Sequence, residues 1–68
     1  MEIIVNGAAR QIPDQTDVPR LLAMLGLTEG RLALEINHEI VPRSLFATHR
    51  LQPGDRVEIV HAIGGGQY

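Results

Sequence analysis

Glu2-Ile3-Ile4-Val5-Asn6-Gly7-Ala8-Ala9-Arg10-Gln11-Ile12 opens the chain with an apolar, β-branched run, an Asn-Gly pair and a second short stretch. β-Branched residues suit a pleated, half-buried surface. Asn-Gly between two such runs is the strongest short hairpin signal, because a type I′ turn needs positive φ at both central positions. Residues 2–12 therefore read as an antiparallel hairpin, ended by Pro13-Asp14.

Next, the period changes. Val18, Leu21, Leu22 and Leu25 fall at i, i+3, i+4 and i+7, one face of a helix over about residues 17–25. Asp17 or Thr16 is expected to cap its start, and Pro19 sits in the first turn, where a missing N–H costs little. Gly26 suits the left-handed position after the helix, with Leu27 folding back. Arg20 and Glu29 are read as charges dressing the helix ends. Alternation returns at Leu32 to Asn37, with Leu32, Leu34 and Ile36 on one side. Glu39 to Val41 reads as a very short strand stopped by Pro42. Ser44 to Thr48 is irregular or a single helical turn, with Ser44 as a local cap and Phe46 as anchor. Leu51 to Asp55 is a turn, and Arg56 to Ile63 is the last strand, with Val57 and Ile59 on one face. The order is β-β-α-β-(β)-β, an α+β chain in which one helix covers one face of a mixed four- to five-stranded sheet. Residues 2–12 and 56–63 are expected to pair at its centre.

Composition narrows the chemistry. Sixty-eight residues make one small domain. No cysteine is present, which removes disulfides, thiolate metal sites and cysteine nucleophiles. All six basic residues are Arg, so Schiff-base and P-loop lysine chemistry are absent too. The net charge of −2, with no basic run, one Tyr and one Phe, argues against a nucleic-acid partner. The start carries no secretory signal, and no apolar stretch approaches the roughly 20 residues of a membrane span. The expected compartment is the cytoplasm. His38, His49 and His61 are too far apart for a metal motif, and no Ser-His-acid set stands out.

What remains is Gly64-Gly65-Gly66, near the end of the chain. A phosphate-binding glycine loop leads into a helix N-terminus, and this run does not. The plain reading is a frayed terminus. The functional one is an extended tail that threads a channel too narrow for any side chain. Residues 61 to 66 span roughly 15–18 Å when extended, enough to carry a carboxylate into a partner's active site.

This order of elements and the diglycine resemble the ubiquitin-like β-grasp sulfur carriers, and among them the ThiS type of thiamin thiazole biosynthesis. The resemblance rests on Leu34-Glu35-Ile36-Asn37-His38-Glu39-Ile40-Val41-Pro42-Arg43, similar to the family's Asn-x-x-x-Val-Pro-Arg segment. The Gly54-Asp55 turn and Val60 to Gly66 add to it, while Phe46 sits where the family often has Trp. It implies a β-grasp domain over 1–63 and a flexible tail over 64–68. It also implies that the chain is a protein co-substrate and not an enzyme. A ThiF-like enzyme using ATP and Mg²⁺ would adenylate the carboxylate of Gly66, with Gly65 beside it and Gly64 in the channel. The carrier itself would bind no cofactor. Sulfur from a cysteine desulfurase would give a thiocarboxylate, delivered to a ThiG-like thiazole synthase. The family ends at Gly-Gly, so the resemblance also implies that a peptidase removes Gln67 and Tyr68. An uncleaved tail is the alternative. Partner docking is expected on Val60, Ala62, Ile63 and Phe46, and charging Ala62 (Ala62→Asp) should weaken adenylation. Other readings are a MoaD-like or other β-grasp sulfur carrier, or a non-carrier β-grasp binding module.

Overall fold

A computed structural model describes residues 1–28 and 30–61. Strands β1 (Glu2–Val5) and β2 (Ala8–Gln11) form the opening hairpin, in register from Glu2 opposite Gln11 to Val5 opposite Ala8. Asn6 and Gly7 take φ of 49° and 85°, the two positive values a type I′ turn demands.

Helix α1 (Val18–Met24) is set by its caps. The Asp17 side chain accepts the Arg20 N–H at 2.9 Å, satisfying a donor the helix leaves free. The Thr16 hydroxyl instead donates to the Pro13 carbonyl. At the other end Gly26 takes φ of 74°, its N–H donates to Ala23, and the Leu27 N–H donates to Leu22 at 2.8 Å. These are the two bonds of a Schellman motif.

Strand β3 (Leu32–Ile36) turns through Asn37 and His38, both at positive φ, into the two-residue β4 (Glu39–Ile40). A 3-10 turn follows at Arg43–Leu45. Ser44 does not cap it: Pro42 holds the capping position, and Ser44 lies inside the turn. Strand β5 (Arg56–His61) completes the sheet, whose order is β2-β1-β5-β3-β4. β1 and β5 pair parallel, and every other pairing is antiparallel. β5 is thus the central strand, paired with β1 on one side and β3 on the other, while β2 lies at the edge because it pairs with β1 alone.

Ile3, Val5, Leu34, Ile36, Val57 and Ile59 face the helix and bury against Val18, Leu21 and Leu22. Two layers around one apolar core bury what neither element could bury alone. Among the described residues no helix is long and apolar enough to cross a membrane.

Candidate functional site

The central strand β5 leads toward the glycine run, and two turn asparagines hold it from either side. Asn37 donates its backbone N–H to the Arg56 carbonyl at 2.8 Å, and its Oδ1 accepts the Arg56 N–H at 3.0 Å. Its Nδ2 donates to Asp55 Oδ1 at 3.0 Å, and Asp55 Oδ2 accepts the Gln52 N–H at 2.8 Å. This closes the turn that feeds β5. On the β1 side, Asn6 Oδ1 accepts the Ile59 N–H at 2.8 Å.

Alternation then decides which side chains reach solvent. Val57 and Ile59 are buried under the helix, so Arg56, Glu58 and Val60 point to the open face of the sheet. Val60 is 61% exposed and lies opposite Ala33 of β3. Ile40, 75% exposed, lies opposite Glu35, which places it on the same face. The half-buried Ile4 of β1 also belongs there. The open face thus carries an apolar patch of Val60, Ala33 and Ile40, with the Glu35–Glu58 pair beside it and Arg56 next to Ile4 beyond. Alternation puts Ala33 on the face opposite Leu34, but neither Ala33 nor Ile40 is among the docking residues expected from sequence. Ile40 belongs to a strand too short for its facing to be read from alternation.

Phe46 does not join this surface, contrary to the expectation from sequence. It is only 9% exposed and packs in the core cluster, on the helix side of the sheet. There it lines, with Leu22, Leu27 and Leu32, a groove of about 350 Å³. An aromatic ring just after a 3-10 turn is the largest apolar group available to close that end of the core. Ala62, Ile63, Gly64, Gly65, Gly66, Gln67, Tyr68 and Glu29 lie outside the described residues. The boundary between domain and tail at 63/64 lies there as well.

Comparison with known proteins places this arrangement. A family model described as the ThiS family matches residues 3–66. This chain belongs to the ThiS family. It is 38% identical over 66 residues to the Escherichia coli "Sulfur carrier protein ThiS", covering 97% of this chain and 100% of that protein. A crystal structure of a thiamine biosynthesis protein, ThiS, from Geobacter metallireducens superposes with a TM-score of 0.83 at 29% identity. It covers 97% of this chain and 100% of its own. A protein named "Thiazole synthase" from Paramagnetospirillum magneticum is 41% identical over 66 residues, 97% of this chain. A second, from Magnetococcus marinus, is 37% identical over all of this chain. The chain spans only about a fifth of the length of these two relatives. The fold is the ubiquitin-like β-grasp of ThiS.

Proposed function

We propose that this chain is a sulfur carrier of thiamine biosynthesis and not itself a catalyst, holding sulfur as a thiocarboxylate on Gly66 and passing it to a thiazole synthase. The observation that carries this reading is the family match, which runs through Gly66 and stops there. Whatever follows Gly66, Gln67 and Tyr68 included, must be removed by a peptidase before the carboxylate is free.

The carboxylate then attacks the α-phosphorus of ATP, and pyrophosphate leaves. ATP and its magnesium belong to a ThiF-like partner, not to this chain. The acyl-adenylate exposes its carbonyl to a persulfide from a cysteine desulfurase system. Sulfur bonds to the carbonyl carbon and AMP departs. A thiol on a partner then takes up the other sulfur of the acyl disulfide, forming a disulfide and releasing the thiocarboxylate. The glycines let the chain approach these centres without side-chain obstruction. Thiazole synthase is supported as the acceptor because proteins of that name include a segment similar to this chain.

The test is mass spectrometry of the carrier isolated from its own cells and after reconstitution with a ThiF-like enzyme, ATP and a sulfur donor. The expected species ends at Gly66 with sulfur in place of one oxygen. A thiolated species ending in Tyr68 overturns the trimming step.

The apolar patch around Val60 is the docking surface in this reading. Val60→Asp is expected to lower kcat/KM for adenylation about tenfold, the equivalent of about 1.4 kcal/mol lost from an interface. Circular dichroism should stay unchanged, since Val60 is mostly exposed. Undiminished adenylation in this variant would remove Val60 from the interface.

A further inference from the structure

The parallel ladder between β1 and β5 is built from main-chain groups until it runs out of strand. Ile4 donates its N–H to the Asp55 carbonyl at 2.9 Å, and Asn6 donates its N–H to the Val57 carbonyl at 2.9 Å. The next rung of a parallel ladder would join the Ile59 N–H to the main-chain carbonyl of residue 6. The chain has left the sheet by then, at φ of 49°. The Asn6 carboxamide fills the gap. Its Oδ1 accepts the Ile59 N–H at 2.8 Å, and its Nδ2 donates to the Ile59 carbonyl at 3.4 Å. One side chain thereby holds both main-chain groups of a residue 53 positions away. Beyond Ile59, the register pairs β5 with β3 alone among the described residues, Val60 with Ala33 and His61 with Leu32.

We infer that Asn6 is a positioning residue for sulfur transfer: its carboxamide acts as the last rung of the β1–β5 ladder and sets the direction in which β5 delivers the glycine tail. The inference rests on the reading that Gly66 carries the sulfur. Among the described residues Ile59 is the last point at which β5 is held from both sides, so losing this rung frees the strand that leads to the tail. Small errors in placing a reacting group are expensive: about 1 Å can cost on the order of a hundredfold in rate.

The turn role of Asn6 separates cleanly from this one. Glycine accepts positive φ without strain, so Asn6→Gly keeps the hairpin and removes only the carboxamide. Two readouts are needed: residue-resolved amide exchange, and steady-state thiocarboxylate formation by chains ending at Gly66, with a ThiF-like enzyme, ATP and a sulfur donor. The Ile59 amide should exchange about tenfold faster relative to Val57 and Leu34, because only its own partner is lost. kcat should fall about tenfold while KM stays within about twofold, because the docking face is untouched. Asn6→Asp keeps the acceptor and replaces the donor by a carboxylate oxygen facing the Ile59 carbonyl. It should fall between wild type and Asn6→Gly in both readouts, and it decides the matter alone if the glycine variant does not fold. Wild-type kcat in the variants overturns the inference, as does faster exchange spread evenly over Val57, Leu34 and Ile59. A wild-type chain ending at Gly66 that never forms thiocarboxylate overturns the functional reading and this inference together. A loaded wild type with unaffected variants overturns this inference alone.

Discussion

Deletion of Gly65 through Tyr68 is expected to abolish thiocarboxylate formation and rescue of a thiamin-requiring strain, while the domain stays folded. The loss should be complete rather than graded. Two residues account for roughly 7 Å of extended chain at ~3.3–3.6 Å each. A reacting carboxylate must come within about 3–3.5 Å of its target, so a carrier ending at Gly64 falls short by more than the reaction tolerates. Stability should change little, because the buried core among the described residues runs from Ile3 to Ile59. Mass spectrometry reads the loading, growth reads the function and circular dichroism reads the fold. A truncated chain that still supports growth would show that the domain acts by binding and not as a carrier. The same comparison in a strain lacking molybdenum cofactor separates a ThiS role from a MoaD-like one, since only the thiamin requirement should respond to the full-length chain.

The division between what the sequence shows and what it hides follows the range of the interactions. Asn6-Gly7, Asp17 with Pro19, and Gly26 with Leu27 are local devices, and each appears at the residues where its signal lies. The turn at Asn37-His38 is also local, and both residue types are enriched at positive φ, but without a glycine the pair is a weaker hairpin signal than Asn-Gly. Phe46 was misplaced because an aromatic residue after a short helical turn suits a core and an interface equally well until the packing is known. Burial of Val57 and Ile59 puts Val60 on the open face, and that follows from alternation alone. The pairing of Ala33 with Val60, and the reach of Asn6 to Ile59, depend on strand order, and no spacing in the chain encodes that.

Leu34→Ala is expected to produce the largest loss of stability, with the opposite signature to the tail deletion. Leu34 is 1% exposed on β3, the strand next to the central β5, and its carbonyl accepts the Val41 N–H at 2.9 Å. Removing a buried leucine side chain costs about 2–5 kcal/mol, from lost transfer energy and the cavity left behind. Net stability scales at roughly 0.05–0.15 kcal/mol per residue, so a chain of 68 residues holds only about 3–10 kcal/mol in total. In a domain this size each kcal/mol moves Tm by about 4–8 °C, which puts the fall at about 8–40 °C. Thermal unfolding followed by circular dichroism measures it, and a shift below about 5 °C would mean that the neighbouring side chains close the cavity. The tail of this variant is intact. Its thiocarboxylate loading should therefore be near normal well below its Tm and disappear as the domain melts. Loading in the tail deletion should be absent at every temperature. On the proposed function, that contrast separates two tasks: the packed sheet presents the tail to a partner, and the tail alone supplies the reacting group.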